Sequence, residues 1–248
     1  MAHFSCPGCD TQLQRKARFC SNCGYQFEER SKDVARKSVL AIAVIFGGVL
    51  LTLVLSHSLL NWEEFSDSRY FFNSLFQTFG FLACGVLALP LLGRGATAES
   101  LAGPSSTRNL GLGLVIGLLG YGVSILYVTL LARLQSTGSG GDETFTPFVP
   151  SLAVMFITSV IFPAFSEEWT DRGALWVALR RIVGPKTTIF CTALMFAFMH
   201  GLNGGGLFEV PHRFVAGLGL GWIRMRSGSL WPGIAGHVLW NILAMFLE

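Results

Sequence analysis

Charge is what this sequence has least of. Only 13% of its 248 residues are Asp, Glu, Lys or Arg, about half the roughly 25% of an average soluble domain. A mean hydropathy of +0.53 accompanies that deficit. So apolar a chain is neither a disordered segment nor a nucleic-acid binder, and a formal net charge of +3 implies no polyanionic partner. Six cysteines at this length do not make a secreted disulfide scaffold. There is no internal repeat. No cleavable signal peptide is expected, because the first apolar run begins behind a Cys-rich segment. What is left is an all-α, polytopic membrane protein.

Composition changes near Val39. Residues 1–38 hold seven Lys/Arg, four Asp/Glu and four of the six Cys. Seven apolar stretches follow, at about 39–60, 71–93, 109–134, 154–180, 186–205, 210–226 and 229–247. Most approach the ~20 residues that cross a ~30 Å hydrocarbon layer, and in lipid such runs must be helices. The organisation expected is a zinc ribbon over 1–30, a basic linker over 31–38 and a transmembrane bundle over 39–248. With the N-terminus in the cytoplasm, fourteen Lys/Arg fall on the inner side, against only Arg69, Arg133 and Arg213 on the outer. Arg172 is left inside the membrane. Gly113/Gly117 and Gly217/Gly221 have GxxxG spacing, read as close helix contacts within the monomer, with a dimerisation face as the alternative. Ala96–Arg108 reads as an ordinary polar connection.

Cys6-Pro-Gly-Cys9 and Cys20-Ser-Asn-Cys23 are two CxxC knuckles, ten residues apart. Each presents two thiolates from a tight turn, and together they complete a tetrahedral sulfur cage for Zn²⁺. The segment resembles short zinc ribbons; a pair of redox dithiols is the alternative. Four ligands close the site, so this zinc is structural, and a segment of ~30 residues needs such a staple. Binding a protein partner or regulating the membrane part is the role expected of it. Cys84 and Cys191 lie in apolar helices and read as small hydrophobes.

Ionisable groups inside a span cost from a few to more than ten kcal/mol, so each asks for a reason. The fourth stretch carries Glu167, Glu168, Asp171 and Arg172 before its basic end at Arg180 and Arg181. Glu168 and Arg172, four apart with the acid first, make an ion pair on one face. Glu167 points elsewhere and has no basic partner nearby, which makes it a candidate base. His200 lies in the fifth stretch, and His237 with Asn241 on the same face in the seventh. At 1.5 Å per residue these groups lie at similar depth, with Glu167 ~20 Å from Arg180 and His200 ~21 Å from Lys186. A shared polar cavity within the bundle explains the coincidence. Neither Ser166 nor Cys191 has an evident base to make it a nucleophile.

Glu167-Glu168-x-x-x-Arg172, Phe196-x-x-x-His200 and His237-x-x-x-Asn241 resemble the three motifs of the CPBP intramembrane protease family of CAAX proteases and bacteriocin-processing enzymes. The resemblance covers about 150–248, which would be the catalytic core, and departs from the family at Asp171. It implies a peptide-bond hydrolase acting on a membrane-associated protein or peptide, in which Glu167 is the general base. His200 would hold and polarise the attacking water, and His237 and Asn241 would donate to the oxyanion. Glu168 and Arg172 would organise the fourth helix, with Phe196 shaping the pocket. No cofactor is expected in that site. Resemblance also points to a prokaryotic cytoplasmic membrane.

Three other readings stand beside this one. Glu167, His200 and His237 are also the ligand set of zinc peptidases. A membrane adaptor or immunity-type protein would keep the same motifs as a structural network. A transporter would use the carboxylates and imidazoles as a proton relay, but would bring repeats or paired half-helices, which are not found.

Overall fold

The computed structural model describes residues 3–5, 11–14, 32–59, 66–93, 95–101, 103, 105–135 and 150–247. Near the N-terminus β1 (His3–Ser5) and β2 (Gln12–Gln14) pair antiparallel, with Phe4 opposite Leu13. Cys6, Cys9, Cys20 and Cys23, and with them the zinc ribbon, lie outside the described residues.

The rest is helical. The long rods are α1 (Lys32–Leu59), α2 (Asp67–Leu92), α4 (Thr107–Gln135) and α5 (Leu152–Arg180). Then come α6 (Pro185–His200), α7 (Val210–Ser227) and α8 (Trp231–Leu247). Their limits have local causes. The Ser66 side chain accepts from the Arg69 N–H at the start of α2. Pro185, which has no N–H to leave unsatisfied, opens α6. Gly228, at φ 66°, closes α7 by donating its N–H to the Arg224 carbonyl.

These rods coincide with the seven apolar stretches. Four of them, α1, α2, α4 and α5, are long and apolar enough to cross a membrane, and α8 is apolar but shorter. Neither α6, with 16 residues, nor α7, with its three arginines, meets that measure. The outer wall is made of side chains that water would not tolerate together. Leu51, Phe72, Phe79, Leu87, Leu118, Leu119 and Leu126 are all more than half exposed. A contiguous apolar surface of this kind belongs against lipid. The protein is an integral membrane protein.

Two sequence expectations change. Within 31–38, taken as a linker, residues 32–38 are instead the first turns of α1, where Lys37 and Asp33 form an ion pair of 2.7 Å. Within Ala96–Arg108, taken as a polar connection, lies a short helix, α3 (Ala96–Leu101). It is fixed by arginines. Arg224, one of the fourteen basic residues counted on the inner side, is buried; it donates to the carbonyls of Arg172 at 2.9 Å and Glu99 at 2.7 Å. Arg181 donates to the Leu92 carbonyl and meets the Glu99 carboxylate at 3.4 Å. A guanidinium has five donors, and carbonyls at helix ends lack partners, so each satisfies the other.

The paired glycines act inside the monomer. A Cβ on Gly113 would strike the Pro232 carbonyl oxygen of α8, and one on Gly117 that of Gly236. Likewise Gly217 of α7 lies where a Cβ would come within 2.9 Å of the Ala193 backbone in α6, and Gly221 backs onto Ile189. Close backbone approach of this kind is how helices associate where lipid provides no hydrophobic drive. Gly117→Ala should therefore destabilise the bundle by about 1–3 kcal/mol, the usual cost of overpacking. Gly122→Ala, on the same helix with nothing within 4 Å, should be neutral or stabilising. Thermal unfolding of both variants in detergent checks this.

Candidate active site

The fourth apolar stretch folds as a helix with two defects. Phe156–Ile161 and Glu168–Leu175 are π-helical turns within α5. The first precedes Pro163, which has no N–H to give to the preceding turn. Such turns re-aim side chains and occur often at functional sites. Here the two adjacent glutamates end in different surroundings. Glu167 reaches a cavity, and Glu168 is turned into the centre of the bundle, 1% exposed.

Glu168 is tied off completely on one oxygen. Its Oε1 accepts from Arg172 at 3.1 Å and meets His237 Nδ1 at 3.3 Å. The Arg172 guanidinium donates to the Gly217 carbonyl at 3.2 Å and lies 4.7 Å over the Phe196 ring. Phe196 is fully buried between three catalytic-motif side chains, with ring centroids 4.6 Å from His200 and 5.5 Å from His237. It does more than shape a pocket wall. It spaces the arginine from both imidazoles. Asp171, the departure from the family pattern, is buried with its Oδ2 at 3.4 Å from Arg172, and its Oδ1 has no hydrogen-bond partner among the described residues.

The partners of the two imidazoles settle their tautomers. His200 Nδ1 faces the Phe196 carbonyl at 2.8 Å. A carbonyl only accepts, so Nδ1 carries the proton. His237 Nδ1 faces the Glu168 oxygen that accepts from Arg172, so it too is the donor. Both neutral rings therefore present an Nε2 lone pair. Glu167 Oε2 stands 3.9 Å from His200 Nε2 and 3.8 Å from His237 Nε2. It has no hydrogen-bond partner among the described residues. Three acceptors from α5, α6 and α8 thus face one small space.

That space is the floor of a cavity of about 350 Å³. Asn241 also lines it, one turn beyond His237, with its Nδ2 only loosely engaged by the Val160 carbonyl at 3.5 Å. Ser166 does not serve as a nucleophile in this geometry, since its hydroxyl donates to the Phe162 carbonyl at 2.8 Å. All four residues expected to act together, Glu167, His200, His237 and Asn241, line the same cavity.

The opposite wall was not anticipated. It comes from α1 and α2, through Ser56, Asn73 and Gln77, and from Arg213 of α7. Ser56 donates to Asn73 Oδ1 at 2.6 Å, and the Gln77 amide reaches both Ser56 at 2.7 Å and Asn203 at 3.1 Å. A signal existed. Arg69 just before the second apolar stretch, and Asn73 and Gln77 within it, recur every fourth residue, a polar stripe on one face. Arg213 is held by Glu209 at 2.9 Å and stacks 4.9 Å from Trp240. Glu209 is shared with His212 at 3.1 Å, whose other nitrogen meets Ser124 at 3.0 Å.

Ligands on tetrahedral zinc at 2.0–2.1 Å stand about 3.4 Å apart, closer than Glu167 is to either Nε2. Among the described residues no group of three His, Cys, Asp or Glu is arranged to hold an ion.

Against known families, residues 149–243 match the family model described as Rce1-like, type II CAAX prenyl endopeptidase. That match takes in α5 through most of α8 and every residue named on the cavity floor. No curated protein and no solved structure matches the chain. The family is one of membrane proteases, so the part of the chain that builds the cavity floor is similar to a membrane-embedded peptidase with a peptide substrate.

Proposed function

We propose that the protein is an intramembrane endopeptidase that hydrolyses a peptide bond of a membrane-associated protein or peptide with water activated by Glu167. The observation that carries this reading is the meeting of Glu167 Oε2 with two Nε2 atoms at 3.8 and 3.9 Å in a polar cavity. That spacing is too long for direct hydrogen bonds and suits one bridging water. Glu167 takes one proton of that water, and His200 Nε2 accepts the other O–H and orients it. The water oxygen attacks the scissile carbonyl carbon, whose π electrons pass to oxygen. Asn241 Nδ2 donates to that oxyanion, and so does His237, which takes a proton from solvent onto Nε2 before the peptide enters and returns it when the products leave, with Glu168 balancing its charge. Collapse breaks the C–N bond, and the amine leaves with the proton held by Glu167.

Glu168, Arg172 and Phe196 are positioning residues in this scheme. Seven crossings with the N-terminus in a prokaryotic cytoplasm complete the reading. The N-terminal cysteines form a structural zinc ribbon for a protein partner, apart from the chemistry. Its support is the β1–β2 pair, which brackets Cys6 and Cys9 in sequence.

Glu167→Gln removes the base and keeps the shape. It should lower hydrolysis by about 10²–10⁴-fold, the usual share of general base catalysis, with unchanged melting temperature. Comparing the peptides in membranes that hold wild type and this variant gives the readout. Identical peptide pools would refute the hydrolase and leave an adaptor. Glu168→Gln behaves differently, because it leaves Arg172 buried with a weaker partner. Removing one member of such a pair costs about 3–5 kcal/mol, so melting temperature should drop as well as activity. For the ribbon, elemental analysis should find one zinc per chain, lost when Cys6, Cys9, Cys20 and Cys23 are all changed to Ser. Hydrolysis by the Cys-to-Ser protein should persist; its loss together with zinc would point to a metal in the chemistry.

A further inference from the structure

The cavity is open at one end of the bundle and plugged at the other. Its rim is Arg69 and Tyr70 near the start of α2, and Asn203 just after α6, all exposed. Its floor is Glu167 and His237, the latter 1% exposed. Beneath the floor everything is filled. Glu168, Asp171 and Arg172 are at most 1% exposed, Arg224 seals the next layer through the Arg172 and Glu99 carbonyls, and α3 packs against that. Among the described residues, the exposed lining of the cavity lies at this rim.

Chain direction tells which face this is. The rim end is where α1, α4 and α6 finish, where α2, α5 and α7 begin, and where α8 ends. The plugged end holds the start of α1, α3, the α5–α6 turn and the α7–α8 turn. Among the described residues, Lys32, Arg36, Lys37, Arg108, Arg180, Arg181, Lys186, Arg224 and Arg226 lie toward the plugged end. Toward the rim lie only Arg69, Arg133 and Arg213. Arg224 is discounted because it is buried and bonded, and the excess survives without it. Basic residues near helix ends stay in the cytoplasm.

We propose that the active-site cavity opens on the extracytoplasmic face and takes its peptide from there. Resting on the hydrolase reading, this narrows the substrate to an exported or membrane-anchored polypeptide whose cleavable segment has crossed the bilayer. The prenylated cytoplasmic tails suggested by the matched family's description would lie on the wrong side. Two of the three cations at the rim end, Arg69 and Arg213, line the cavity itself, Arg213 in an ion pair with Glu209.

The full-length chain tests this through single introduced cysteines and a membrane-impermeant maleimide on intact cells. Asn203→Cys at the rim and Ser66→Cys at the start of α2 should label in intact cells. Thr107→Cys, at the start of α4 beside the plug, should label only after permeabilisation, and wild type gives the background from native thiols. Protection of both rim cysteines in intact cells, with Thr107→Cys labelled instead, would overturn the proposal. The readout needs no catalysis, so a chain that fails as a hydrolase still reports its orientation. A hydrolase that faces the cytoplasm fails here alone.

Discussion

The Glu168–Arg172 ion pair is the interaction on which the rest of the site depends. At 3.1 Å and almost fully buried, it joins four helices through two side chains. From α5 it reaches α8 through His237 Nδ1, α7 through the Gly217 carbonyl and α6 through the Phe196 ring. A buried pair is weak evidence for stability, because desolvation consumes much of its attraction. What it provides here is orientation. Without an ionised Glu168 the proton of His237 has no reason to sit on Nδ1, and the Nε2 lone pair no longer faces Glu167.

Around this centre, small residues and lipid-facing residues divide the work. Gly113, Gly117 and Gly236 let α4 and α8 touch backbone to backbone, so the wall that carries His237 and Asn241 cannot drift. Gly233 sits so close to Glu168 that a Cβ there would come within 2.8 Å of its Oε2. The glycines thus hold the geometry of the charges as well as the packing.

Much of this was legible in the sequence. Long apolar stretches separated by short polar ones defined the rods, since lipid allows a long span only as a helix. The i,i+4 spacing of Glu168 and Arg172 and the matched depths of Glu167, His200, His237 and Asn241 defined the cavity floor. The opposite wall was hidden because Ser56, Asn73 and Gln77 are single uncharged polar residues in strongly apolar helices, where each is cheap enough to pass without comment. The burial of Arg224 was not legible either, since position near a helix end says nothing of a side chain that folds back under α3. Neither could the π-helical turns of α5 be read, because a widened turn leaves the residue pattern almost unchanged.

Those turns explain how neighbouring glutamates come to do different things. Glu168 and Asp171 face a plug that also holds the guanidinium groups of Arg172 and Arg224, two carboxyl groups with two cations. Within that layer, formal charge is already matched, and Glu167 is the carboxyl left over. Its Oε2 faces two imidazoles that offer lone pairs rather than protons. A carboxyl group with no cation assigned to it, facing acceptors across a gap one water wide, is poorly placed to hold a structure together. It is well placed to exchange a proton with whatever enters that gap, and this is the physical ground for treating Glu167, and not its better-bonded neighbour, as the reactive group.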